Sequence, residues 1–172
     1  MTPTTVARRR GGGASPDTEV DPETLSVRAV LLASEDRVIP TSAVDLAARI
    51  AKRCGAPVHV FTIARVWGTS FGFPNPGLNP TRQEWDQQAH NVEKAIGRLE
   101  HKGVQANGRV VGTRAGAKRI VKEAQRLGCD AIVMGADPPR SPLIRNFIWR
   151  QEPYRVRRRA NVPVFLVIDE SA

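Results

Sequence analysis

The chain has 172 residues, of which 41% are hydrophobic and 25% charged, with a formal charge of +9; this suits one domain plus a tail and is too short for two full domains. No apolar run approaches the ~20 residues that span a bilayer, and Arg8-Arg9-Arg10 leads into Gly11-Gly12-Gly13 rather than the apolar stretch of an export signal. Two cysteines, Cys54 and Cys129, make neither a disulfide framework nor a metal-ligand cluster, so the expected compartment is the reducing cytoplasm.

Residues 1–25 are rich in Thr, Pro, Gly and acids and almost free of apolar residues. Such a segment cannot bury enough surface to offset the entropy of ordering, so a disordered tail is expected there, with one domain over 26–170. From Ala29 to Ala33 an apolar run has the length of a buried strand, and Thr41–Cys54 then places Val44, Ala47, Ala48, Ala51 and Cys54 on one helical stripe. Gly55 closes that helix, and Val58-His59-Val60-Phe61-Thr62-Ile63, rich in β-branched residues, reads as a second strand. The stretch 64–80, punctuated by glycines and prolines, reads as a long loop whose Trp67, Phe71 and Phe73 anchor it to the core, with a binding lid as the alternative.

After the loop, Trp85, Ala89, Val92, Ile96 and Leu99 step by four, three, four and three, which predicts an amphipathic helix over about 82–102. A third strand is expected at Gly108–Gly112 and a helix carrying Ala117, Ile120, Val121, Ala124 and Leu127 on one face. A fourth strand follows at Asp130–Gly135, a short helix near Glu152–Ala160 with Pro153 in its first turn, and a fifth strand at Pro163–Ile168. Strands that alternate with helices and lack polar alternation predict an α/β fold: a doubly wound open sheet of five mostly parallel strands with helices on both faces.

The charge is unevenly placed. Between Arg140 and Arg159 there are seven arginines and one acid, Glu152, a net of +6 in twenty residues. An anionic partner is one reading of that concentration and a solvated basic face the other. His59, His90 and His101 have no nucleophile motif around them, and Gly112-Thr113-Arg114-Ala115-Gly116-Ala117 has neither a dinucleotide fingerprint nor a P-loop lysine. No catalytic set is found.

Val110-Val111-Gly112 leading through Ala117 and Ile120 to Ala124, then Asp130 to Gly135, and finally Val162 to Val167, resemble the second half of a universal stress protein. The resemblance covers about residues 27–168 and implies an adenine nucleotide alpha hydrolase-like fold. Some members of that family bind ATP or another adenine nucleotide in a crevice beside the first and fourth strands, where open α/β sheets generally place ligands. Nucleotide-binding members show G-x2-G-x9-G-[S/T] after the fourth strand, glycines letting the backbone approach phosphates at a helix N-terminus. Here Met134 and Gly135 match, but strict spacing puts Pro138 at the second glycine and Ile148-Trp149 at the final pair, while alignment back from Pro163 suggests Arg150-Gln151.

By the same resemblance Glu35, with Asp36 beside it, takes the place of the family's adenine-contacting Asp, and Ile63 marks a backbone contact at the end of the second strand. Arg140 and Arg145 would replace the missing glycine-loop donors by charge. Glu152, at the start of the last helix, would repel a phosphate there. The expected function is a stress-response regulatory domain, not an enzyme, that binds AMP or another small adenine nucleotide weakly and ATP more weakly still. The alternative is a nucleotide-free dimeric adaptor whose arginine-rich C-terminal region contacts an acidic protein, a membrane surface or a nucleic acid. In either case the apolar last strand is an edge liable to pair, and a homodimer through it is expected, as the resemblance also implies.

Overall fold

In a computed structural model of the chain, residues 4–8, 20–66, 80–137 and 152–168 are described. They form β1 (Thr4–Arg8), β2 (Val30–Glu35), α1 (Thr41–Cys54), β3 (Val58–Arg65), α2 (Arg82–His101), β4 (Ala106–Thr113), α3 (Gly116–Arg126), β5 (Ala131–Ala136), α4 (Glu152–Arg159) and β6 (Val164–Ile168). One sheet holds all six strands in the order β1-β6-β5-β2-β3-β4. The five strands from β2 to β6 are mutually parallel, as the alternation of strands and helices predicts.

Alternate residues of each strand serve opposite faces, so the sheet has a core on either side. Val30 and Leu32 of β2, Val58 and Val60 of β3 and Phe165 and Val167 of β6 meet Ala47 and Ala51 of α1 and Val92 and Leu99 of α2. On the other face Leu31, Ala33, Ile63, Met134 and Leu166 meet Ala117, Ile120 and Ala124 of α3 and Val156 of α4. The winding reverses between β2 and β5, and both strands end there at the same side of the sheet. That is where a crevice opens in such folds.

Two local expectations differ from the structure. The buried face of α2 consists of Gln88, Asn91, Val92, Ala95 and Leu99, whereas Trp85 is 37% exposed and Ile96 only partly buried. The stripe is rotated because α2 lies over the edge of the sheet, against β3 and β4, where polar Gln88 and Asn91 fit a margin that a central helix would fill with aliphatic residues. The helix begins as its first residues dictate: Thr81 Oγ1 accepts from the Glu84 amide at 3.2 Å and a Glu84 carboxylate oxygen accepts from the Thr81 amide at 2.6 Å.

The second difference lies in the segment expected to be a disordered tail. Thr4–Arg8 pairs antiparallel with β6, from Thr4 opposite Ile168 to Arg8 opposite Val164. Apolar content is a poor guide to such a strand, because a sheet edge holds it through backbone hydrogen bonds. Val20 and Leu25 also pack against the core cluster to which α1 and α2 contribute. The outer edge of β6, taken from the sequence to be open, is therefore occupied by β1. The expected contacts of Trp67, Phe71 and Phe73 lie outside the described residues.

Candidate functional site

The crevice at the winding reversal is lined by Ser34 and Glu35 at the end of β2, Arg37, Arg65 at the end of β3, Met134 and Gly135 of β5, and Glu152 and Pro153 of α4. Its free volume among the described residues is about 20 Å3, roughly one water molecule by order of magnitude. What fills it is carboxylate. Glu35 is 8% exposed, and neither of its carboxylate oxygens has a hydrogen-bond partner among the described residues. Arg65 Nε stands 3.6 Å from Oε1, too far for a good hydrogen bond. The carboxylate lies over Gly116, where any Cβ would overlap it.

Glu152 reaches the same place from α4. Its Oε1 accepts from the Ala117 amide at 2.5 Å, and its Oε2 lies 3.4 Å from Arg155 Nη1. The α3 cap residue, Ala115, supplies no side-chain cap, so a carboxylate from a later segment takes the partial positive charge of that helix end. The start of α3 is thus met by a carboxylate of the chain itself. Burial, and secondarily the Glu152 charge, push the Glu35 carboxyl up to about 7, with Arg65 opposing. Near neutral pH Glu35 is thus divided between a neutral acid, able to donate a hydrogen bond, and a carboxylate.

The residues expected at the site part company. Glu35, Met134 and Gly135 line the crevice. Asp36 turns away toward Thr81, Gln83, Glu84, Gln87 and Gln88 at the start of α2, with a left-handed φ of 48°. Burial, and then the Glu84 charge, raise its carboxyl above the usual range, against Arg65. Ile63 is fully buried, and its carbonyl accepts the Asp36 amide at 3.0 Å, which holds the turn after β2. Gly135 was expected to admit a ligand closely, but a Cβ there would stand 2.6 Å from Pro40 Cγ. Its bare side packs on the N-cap of α1, and Gly135→Val would clash with Pro40 whether or not a ligand binds. Arg140 and Arg145 lie outside the described residues.

Arg65 and Arg37 carry no sequence signal that marks them as crevice residues, and Gly116 is legible only as part of a strand-to-helix turn. Arg65 was legible only as the charge ending a β-branched run, and Arg37 pairs with Asp137 at 2.8 Å beside the crevice. Tyr154 Oη donates to the Asp137 carbonyl at 2.8 Å, tying α4 to the end of β5.

The helices α3 and α4 lie on the same face of the sheet. Their two acids both point inward: Glu152 as described, and Glu123, 1% exposed. Arg126 Nη2 stands 2.6 Å from Glu123, with Arg109 and Arg119 each at 3.6 Å. The Arg126 hydrogen bond holds the Glu123 carboxyl below the usual range despite burial. Lys118, Lys122, Arg158 and Arg159 remain exposed on the outside. Among the described residues no group of three His, Cys, Asp or Glu is arranged to hold a metal ion, and no helix is long and apolar enough to cross a membrane.

Comparison with known proteins agrees with this architecture. The profile of the universal stress protein family matches residues 27–167. A universal stress protein family structure from Burkholderia pseudomallei is similar at 20% identity and TM-score 0.60, over 81% of this chain and 95% of that one. A universal stress protein from Archaeoglobus fulgidus in complex with dAMP is similar at 17% identity and TM-score 0.59, over 81% and 96%. A universal stress protein in complex with cAMP reaches 20% identity and TM-score 0.59, over 84% and 98%. The search of curated proteins returns no match.

Proposed function

Because the chain belongs to the universal stress protein family, we propose that it is a stress-response regulatory domain whose crevice takes at most a lightly charged adenine compound and does not grip ATP. One observation carries this reading: Glu152, at the start of α4 where the family's glycine motif would receive a phosphate, holds its carboxylate against the Ala117 amide, with buried Glu35 beside it. Each further phosphate brings negative charge toward two carboxylates. The single-phosphate ligands of two similar structures, dAMP and cAMP, fit the same direction. Calorimetry with AMP, ADP and ATP at pH 8 tests it. Affinity is expected to fall along that series, and Glu152→Gln should improve ATP more than AMP; tight binding of ATP by the unaltered chain overturns the reading.

A second reading, a nucleotide-free adaptor for an anionic partner, is favoured by the outer surface of α3 and α4. Both helices turn their acids inward and leave Lys118, Lys122, Arg158 and Arg159 exposed. Binding to a DNA duplex, to polyglutamate and to anionic vesicles at rising salt separates the partner classes. Charge reversal at those four positions is expected to abolish whichever is bound, and no binding at low salt to any of the three refutes this reading.

A further inference from the structure

We propose that β1 is a built-in cap on an edge through which two copies of this chain otherwise pair. The edge is β6, whose sequence Val-Phe-Leu-Val-Ile carries no charge and no proline. Those are among the devices by which exposed strand edges avoid pairing with other chains. Val164, Phe165, Leu166 and Val167 are all buried, supplying apolar side chains to the cores on both faces. Left uncovered, this edge presents a row of unpaired backbone groups in line with two hydrophobic layers. Here β1 covers it residue for residue, and among the described residues theirs is the one antiparallel joint in the sheet.

The cap is built so that it can leave. It is five residues long, and residues 9–19, including Gly11-Gly12-Gly13, join it to Val20. Eleven linking residues reach up to about 35–40 Å when extended, so release from the edge needs no movement of the domain. The occupant that replaces β1 is the β6 of a second copy. Two identical strands pair antiparallel about a twofold axis, which keeps the strand polarity that β1 supplies and closes the assembly at two chains. The five apolar residues of each β6 then continue both cores across the joint. The homodimer through the last strand thus becomes conditional: the full chain is monomeric while β1 is docked.

Light scattering and sedimentation across micromolar concentrations test this with the full-length chain and two variants. Thr5→Pro with Val6→Pro removes two successive amides, one of which must point at β6, since neighbouring residues of a strand alternate in direction. The second variant lacks residues 1–10 and leaves the family-matched region, 27–167, intact. The expected result is one chain mass for the unaltered protein and twice that mass for both variants, with circular dichroism retained. A peptide of residues 1–10, added to the truncated variant, should return it to one chain mass. Variants that stay monomeric while folded overturn the proposal. So does a full-length chain that dimerises as strongly as the variants, a dimer lost on truncation, or a truncated dimer that ignores the peptide.

Discussion

Replacing Glu35 by Gln removes a buried titration and should stabilise the protein at neutral pH. In the folded chain the Glu35 carboxyl stands at about 7 against an ordinary 4.5. The native state therefore keeps its proton where the unfolded state has already lost it, and stability falls as pH rises between those two values. Below about pH 4.5 both states are protonated and the penalty vanishes; above about pH 7 it is complete. The difference between about 7 and 4.5, at 1.36 kcal/mol for each tenfold change in proton affinity, amounts to about 3 kcal/mol. Gln keeps the shape, an acceptor and N–H donors but has no charge to bury. Urea denaturation of the two proteins at intervals from pH 4.5 to 8 should give curves that diverge, from a small difference at the acid end to about 3 kcal/mol at pH 8. For a chain of this length that corresponds to a melting temperature higher by roughly 6–12 °C. Parallel stability profiles across the window would mean that Glu35 is solvated or paired, and that the carboxylate-filled crevice is misread.

Glu123 is the opposite case, buried but paired with three arginines, and its depressed titration stabilises the fold above the ordinary carboxylate range and ceases to do so as pH falls below it. Glu123→Gln should cost on the order of 1.5–3 kcal/mol at pH 7 and progressively less in acid, read by the same denaturation series; an equal cost at every pH would place its role in packing alone. In α2, Leu99→Ala should cost about 2–5 kcal/mol because Leu99 is fully buried, whereas Ile96→Ala, at a partly buried position, should cost clearly less. Equal losses in melting temperature would contradict the rotated face of that helix.

Much of the fold is legible in single segments. The continuous apolar run at Ala29–Ala33 and the β-branched stretch Val58–Ile63 show no regular polar alternation, so both faces of those strands must be covered, and helix-period stripes between them supply the cover. Gly55 and Gly128, both in left-handed backbone, mark where two helices end. Glu152 could also be read as an obstacle to phosphate, because a carboxylate at a helix start acts within one turn. Each of these signals is local, set by side-chain periodicity or by backbone freedom within a few residues, and so survives in the sequence without knowledge of what lies opposite.

Which residues meet is another matter. Glu35 and Glu152 are far apart in the chain and come together only because β2 and β5 are neighbours in the sheet and α4 starts beside their ends; the raised titration of Glu35 follows from that burial and not from any motif. Asp36, adjacent to Glu35, faces another groove because the backbone turns into a left-handed conformation there. Gln88 and Asn91 are buried because α2 lies at the margin of the sheet, which no hydrophobic period records. Sequence by itself determined the order of strands and helices from β2 to β6, the family likeness and the loss of the phosphate-binding glycines, all of which depend on near neighbours. Only the tertiary structure decided that carboxylates fill the crevice, that Pro40 occupies the space beside Gly135, and that Thr4–Arg8 covers β6, because burial and edge pairing are made by residues that chain connectivity keeps apart.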